Sequence, residues 1–522
     1  MEHVPAEERA DALLDEGIAF GELGRFEEEI EVYDLLLAMT DAPADQKAQA
    51  LVNKGVSLGE LGRFDEEIEA YNAVLAMPKA PPEKRAQALQ YKAQSLGNMG
   101  RPEEELLAYD AILAMPDATA ESRAIALVNM GYKLQELGQP EEAFRACDAV
   151  LAMPDAPVQE KARAFINRAY TFGQIGRPED EIGAYDQVLG MPDAPANERA
   201  IALVNKGVAL ADLGRPEEEI EAYDALIAMA DAPANQRTTA LCYKARTLDN
   251  LGRFEEELGA YDASLEIWDG PEDERAEAMY FRGVTLRRLG RLEEEIKAYD
   301  TLVARSGAPP KSRAWALVSK GLALGALGRP EEEIEAYDSV IAMPDAPADR
   351  KAAALVYKGN TLGELRRTRE EIEAYDSVIA MADATPEQRA EALVDKGATV
   401  GWLGRPWEEI EIYDRVVAMA DAGSEQKARA LIYKGITLGE LGRPEKELEA
   451  YDAALAISDA PANQRAEALF YRGQTFTQLK RRPEAIAAFD SVIAMDDAPA
   501  DRKESAVSLR QRLIDNADPD AR

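Results

Sequence analysis

Few side chains in this sequence could carry a reaction. The sole histidine, His3, stands near the start, and Cys147 and Cys242 lie far apart without metal-ligand spacing. Neither a Ser-His-Asp or Cys-His arrangement nor a zinc site can be assembled from them, and the cysteines read as reduced core thiols. There is no glycine-rich phosphate loop. Carboxylates are abundant, with 98 Asp and Glu against 60 Lys and Arg, a net charge of −38. They recur at fixed places instead of converging. Those after each turn glycine complement the positive starts of helices. The Asp after each tyrosine (Asp34, Asp110, Asp186) is expected to be architectural. No enzyme, no cofactor and no metal site is expected. The chemistry that remains is binding. Tyr243, Arg246, Asp249, Tyr280, Phe281, Arg287, Arg288 and Trp315 replace the small or aliphatic residues found at related places elsewhere. Arginine with aromatics is the composition of interface hot spots, and here it would give an acidic chain a positive lining. Two readings stand: a site, or local drift with Arg287 and Arg288 merely solvated.

The elements that would position these residues follow from self-similarity. A turn reading Leu-Gly-Arg, then acidic residues, then Ile-x-Ala-Tyr-Asp, returns every 38 residues. Its glycines are Gly24, Gly62, Gly100, Gly138, Gly176, Gly214, Gly252, Gly290, Gly328, Gly404 and Gly442, with Arg366 and Lys480 in the two other copies. In the second copy, Ala48, Leu51, Val52, Gly55, Leu58 and Gly59 lie on one helical face. Gly62 ends that helix, and a second begins at Phe64, a place held by proline in seven copies. Ile68, Tyr71, Val74 and Leu75 form its apolar face. The Met row (Met39, Met77, Met115) reads as core between repeats, and the Asp of the Asp-Ala-Pro connection as an N-cap. A lone helical hairpin cannot bury both faces, so the copies must stack. The expected fold is all-α: a right-handed superhelical α-solenoid of about thirteen helix–turn–helix repeats over 1–500, with a capping helix and tail over 501–522, its helix running from Asp501 to Asn516.

The stretch Ala50 to Arg63, with Ile68 to Pro78, resembles the tetratricopeptide repeat: a small residue at Gly55, large apolar ones at Leu51 and Leu58, the turn Gly62 and the aromatic Tyr71. The likeness runs along nearly the whole chain. It departs from the family in a period of 38 instead of 34, and in a glutamate (Glu67, Glu105, Glu181) where the family usually has alanine. Eleven copies carry Lys or Arg before the turn, as at Lys54, Lys320 and Arg472, which suggests a basic–acidic ladder with that glutamate. A row of lysines meeting an acidic partner is the alternative.

The resemblance implies that the first helix of each repeat lines a concave groove gripping extended peptides. One groove position holds Asn53, Asn129, Asn167 and Asn205, then Tyr91, Tyr243, Tyr357, Tyr433 and Tyr471. In the family such an asparagine holds peptide backbone through an amide that both donates and accepts. The family's basic clamp for a C-terminal carboxylate is missing, its lysine place being held by Val52, Val128, Ile166 and Val204. With Arg246, Tyr280, Phe281, Arg287, Arg288 and Trp315, these residues make the expected groove. The expected function is a scaffold that binds another protein or peptide without catalysis. The alternatives are a structural, self-associating solenoid, or a sensor enclosing a small anionic or peptide ligand. The acidity disfavours nucleic acid and anionic membrane. No apolar run approaches the roughly 20 residues of a membrane span, Met1 to Asp11 lacks the apolar stretch of a signal peptide, and a cytoplasmic location is expected.

Overall fold

A computed structural model of the chain describes residues 5–515, so His3 and residues 516–522 of the expected tail lie outside the described residues. Those residues form 27 helices. Twenty-six pair into thirteen hairpins, each with a first (A) helix of 17 residues, as Ala6–Glu22, Ala44–Glu60 and Ala462–Gln478, and a second (B) helix of 12 or 13, as Phe64–Ala76 and Pro444–Leu455. The last helix, Ala500–Asp515, buries Ala506 and packs Leu509 and Leu513 on the thirteenth copy, leaving Val507 and Ile514 exposed.

The turn works as its residues require. In the second copy the Arg63 N–H donates to the Leu58 carbonyl at 2.8 Å and the Gly62 N–H to that of Gly59 at 2.9 Å. This pair of bonds closes a helix only if the intervening residue is left-handed, and Gly62 has φ +71°. Arg366 and Lys480 hold the same conformation at φ 57° and 58° without glycine's freedom. The entry to the A helix differs from expectation. Proline holds the N-cap place in most copies (Pro43, Pro81, Pro233), and only Thr119 and Thr385 cap through a side chain. The connecting Asp, two residues earlier, instead holds an arginine of its own copy's A helix, as in Arg85–Asp117 and Arg199–Asp231, both at 2.6 Å.

The core lies between copies. Ala48, Val52, Tyr71, Val74 and Ala80 of the second copy close over Ala88 of the third, with Met77 packed beside them, as expected of the Met row. Burying a Val or Leu in such a seam contributes about 1.5–3 kcal/mol, but only once the neighbouring copy is present. Cys147 replaces the recurrent tyrosine in the fourth copy; it is a free thiol, and burial pushes it up to about 12.

Contacts group the chain into two units, one running to Gly252 with Glu266–Asp269, the other comprising Arg253–Leu265 and everything from Gly270. Within each, every A helix packs on its own B helix and on the A helix of the next copy, whereas successive B helices do not pack together among the described residues. A stack held this way is tighter on its A side. The A helices therefore line the inner face of each unit.

Candidate binding niches between repeats

The glutamate that departs from the family pattern is not on the surface. Glu67 sits one helical turn before the core Tyr71, so both point at the A helix. Opposite it stands Gly59, where a Cβ would lie 3.0 Å from the carboxylate. Glycine makes the room and the carboxylate takes it. Glu67 is 6% exposed, Glu371 8% and Glu447 7%. Hydroxyls from two directions satisfy one oxygen. The Tyr71 hydroxyl donates to Glu67 Oε1 at 3.1 Å, and Ser95, from the next copy, at 2.5 Å. Tyr451 and Thr475 do the same for Glu447 Oε1 at 3.2 and 2.6 Å, and Thr247 and Thr399 reach Glu219 and Glu371 at 2.6 and 2.5 Å. Oε2 of Glu67, Glu371 and Glu447 receives no hydrogen bond from the described residues. Desolvation holds the carboxyls of Glu219, Glu333, Glu371, Glu409 and Glu447 above the usual carboxylate range.

Clefts open over this carboxylate. One of about 200 Å³ is lined by Gly59, Phe64, Glu67, Tyr91 and Ser95. A second, of about 340 Å³, has Gly363, Glu364, Glu371, Thr399 and Trp402. A third, of about 420 Å³, has Gly21, Phe26, Glu29, Asn53 and Ser57. They are one niche in three copies, each made by a hairpin and the A helix that follows it. Two further copies fill it internally. In the eighth, Arg287 replaces the glycine, and its Nε donates to Glu295 Oε1 at 2.8 Å while Nη2 donates to the Ser319 carbonyl at 2.6 Å. In the third, Lys133 replaces the hydroxyl residue and approaches Glu105 at 3.1 Å.

The basic–acidic ladder exists with other partners than expected. Lys54 meets Asp34 of the preceding B helix at 2.5 Å, not Glu67, and Lys320–Asp300, Lys358–Asp338 and Lys396–Asp376 repeat the contact at 2.5 Å. The Asp after each tyrosine is thus architectural, as expected. The counterpart of the buried glutamate is the glycine place: where alanine replaces the glutamate, at Ala143 and Ala485, that place holds the larger Gln135 and Thr477.

The expected groove residues divide by environment. Tyr91, Tyr243, Tyr357 and Tyr433 lie on the A helices with one ring face on the buried tyrosine of the preceding copy, centroids 5.9 to 6.1 Å apart. Tyr357 keeps an exposed face. Asn53 donates to the Tyr33 hydroxyl at 3.1 Å, Asn205 to that of Tyr170 at 2.6 Å, and Asn129 accepts from Arg163 at 3.1 Å. Asn167 is buried, its amide spent on the Val128 carbonyl at 2.8 Å. In the first unit, Arg246 lies over the Tyr243 ring at 5.0 Å. In the second, Tyr280 meets Phe281 and Trp315 edge-on at 5.6 and 5.4 Å. These aromatics line a cleft of about 380 Å³ with Asp273, Glu274, Glu277 and Lys311. The expected positive lining is not formed there. Arg287 is drawn to Glu295, which has Ala323 where other copies offer a hydroxyl, and Arg288 lies over Phe254 at 5.4 Å.

Among the described residues no group of His, Cys, Asp and Glu could hold a metal ion, and no helix is long and apolar enough to cross a membrane. No curated protein matches the chain in sequence. Among solved structures, the crystal structure of the APC/C hetero-tetramer Cut9-Hcn1 is 13% identical over 97% of this chain and 96% of that one, with a TM-score of 0.35. A tetratricopeptide repeat protein from Parabacteroides merdae is 13% identical over 53% of this chain and 98% of its own, with a TM-score of 0.37. Family models described as tetratricopeptide repeat match residues 14–84, 187–235, 244–312 and 467–495. With its paired helices and recurrent turn, the chain is a tetratricopeptide repeat protein, of a family that generally serves as protein-interaction scaffolds.

Proposed function

We propose that this protein binds an extended segment of another protein along its A-helix face. The observation that carries the reading is a stripe of exposed apolar side chains on those helices: Ile18, Val56, Tyr132 and Val208 at one repeat position, Phe281 and Tyr357 at a neighbouring one. A water-exposed apolar row on the inner face of a stacked array stabilises nothing in the free protein and marks an interaction surface. On this reading the A-helix face of each unit offers a binding surface. An anionic small ligand suits the site less well, because the aromatic cleft at Trp315 carries three carboxylates against one lysine.

Photo-crosslinking tests the proposal. A benzophenone amino acid replaces Val56, Tyr132 or Tyr357 on the A face, or Leu35 or Leu107 on the outer face of B helices, and crosslinks are collected in cell extract. The reading expects one or a few discrete partners from the A-face positions and none of them from the B-face positions. Identical products from both faces, or products from the B face alone, would refute it.

A further inference from the structure

We propose that the open niches over the buried glutamates are receptors for guanidinium groups, so that the bound segment carries arginines read by the repeats whose niche is open. The inference rests on the A-face reading and adds the chemistry of the partner.

At Glu67, Glu371 and Glu447 one carboxylate oxygen receives no hydrogen bond from the described residues. At Glu67 the Tyr71 and Ser95 hydroxyls both lie against Oε1, at 3.1 and 2.5 Å, and Oε2 is left to the cleft. The Tyr91 carbonyl, 2.9 Å from the Ser95 Oγ, already accepts the Ser95 N–H within its helix. Thr475 stands in the same position between Glu447 and the Tyr471 carbonyl, at 2.6 and 2.9 Å. Oε2 of Glu67 meets water through a cleft wide enough for a side chain, so a cationic donor entering the cleft would take the place of that water.

The chain records what fits. In the eighth copy the hydroxyl is gone, with Ala323 in its place, and the Arg287 guanidinium donates to Glu295 Oε1 in its stead and also to the Ser319 carbonyl, while Glu295 Oε2 keeps no partner among the described residues. Ser319 holds the place that Tyr91 holds at the Glu67 niche. A planar fork that donates in two directions does this, and a single ammonium does it less well. At Gly59 and Gly363 the space is open, with aromatic walls against which a guanidinium can stack, Phe64 and Tyr91 at the first niche and Trp402, with Arg366 also in the lining, at the second. The net charge of −38 favours the approach of such a partner.

The test must separate the niches from the general acidity. Glu371→Gln, Glu409→Gln and Glu447→Gln are combined in the full chain, and compared with Glu373→Gln, Glu411→Gln and Glu449→Gln, which remove the same charge from exposed places on the same B helices. The probe is fluorescein-labelled nona-arginine, with nona-lysine beside it, at physiological salt. We expect the niche variant to bind nona-arginine about tenfold or more weakly, as for lost charge-assisted hydrogen bonds, and the surface variant to change less than about twofold, as screened exposed charges should. Nona-lysine should bind more weakly than nona-arginine and respond alike to both variants. Gly439→Arg, which plugs one niche as Arg287 does, should also lower nona-arginine affinity while keeping its helical signal, and covers the case in which the triple variant does not fold. Equal loss in both triple variants, or equal binding of the two peptides, would overturn the guanidinium assignment. A-face crosslinks alongside unaffected nona-arginine binding would leave the scaffold reading standing and remove this one.

Discussion

Replacing Arg287 with alanine should destabilise the eighth repeat, because the side chain belongs to the protein's own electrostatics. Glu295 is fully buried, and its pairing with Arg287 at 2.8 Å is the one hydrogen bond its carboxylate receives among the described residues. Removing one partner of a buried ion pair costs about 3–5 kcal/mol. Arg287 is 36% exposed, so water reaches the pair from one side and the cost falls by roughly half, to about 1.5–2.5 kcal/mol at neutral pH. Desolvation already raises the Glu295 carboxyl, and Arg287 opposes the shift. Without the arginine it rises further, so the variant takes up a proton more readily than its unfolded chain. The deficit should therefore shrink as pH falls from about 7 toward 5. Urea denaturation followed by circular dichroism, with amide exchange read within Glu272–Val303, measures both quantities. Guanidinium chloride is unsuitable, since it would compete for the niches. Adding Glu295→Gln to the variant should recover about 1 kcal/mol by removing the unpaired charge. A loss below about 0.5 kcal/mol, the scale of ordinary surface substitutions, with no dependence on pH, would refute the pairing and return Arg287 to the solvated surface.

Lys480→Gly should raise stability by about 0.5–1 kcal/mol in urea melts, because a left-handed non-glycine residue costs about 1–2 kcal/mol and glycine returns part of that as unfolded-state entropy. Lys320→Ala should cost no more than about 0.5 kcal/mol, since its bond to Asp300 is an exposed rung, and it should leave nona-arginine affinity unchanged within about twofold. Stability of the whole chain should rise on mild acidification. Glu371 (facing Thr399 and Asp395), Glu409 (Tyr413, Thr437 and Glu440) and Glu447 (Tyr451 and Thr475) are raised by burial. Their folded forms hold protons that the unfolded chain has released, a contribution present below the ordinary glutamate range near 4.5 and lost as pH rises through the folded values. A melting temperature that falls between about pH 7 and 5.5 would contradict this.

The repeat, its turn and its helix boundaries were legible because they rest on local rules. The 3.6-residue spacing of Leu51, Val52, Gly55 and Leu58, and the left-handed demand met by Gly62, act within a few residues. Pairings across copies were less legible. Lys54 was expected to pair with Glu67, and the stacking of one copy on the next sets it against Asp34 instead. Composition left Arg287 open between a binding residue and a solvated one, and neither reading included its ion pair with Glu295 from the place of a glycine opposite a buried carboxylate. Tyr357 and Phe281 kept exposed faces where the groove was expected, while Asn167 was withdrawn into the core by the Val128 carbonyl. Exposure at one repeat position varies with what the neighbouring copy offers, and that information lies a full repeat away in sequence.

Proton release on binding tests the central claim most directly. A guanidinium docked on Glu371, Glu409 and Glu447 must pull down carboxyls that burial has raised, so binding should expel protons wherever those groups are partly protonated. Calorimetric titration of nona-arginine into the full chain at a series of pH values falling from about 7 toward the ordinary glutamate range, repeated in buffers of different ionisation enthalpy, counts them. The account predicts a net release that falls in the Glu371→Gln, Glu409→Gln, Glu447→Gln variant and persists in the exposed-glutamate variant. Heats independent of buffer, or a release equal in both variants, would mean that the arginines sit on the outer acidic surface and that the niches are not where the partner binds.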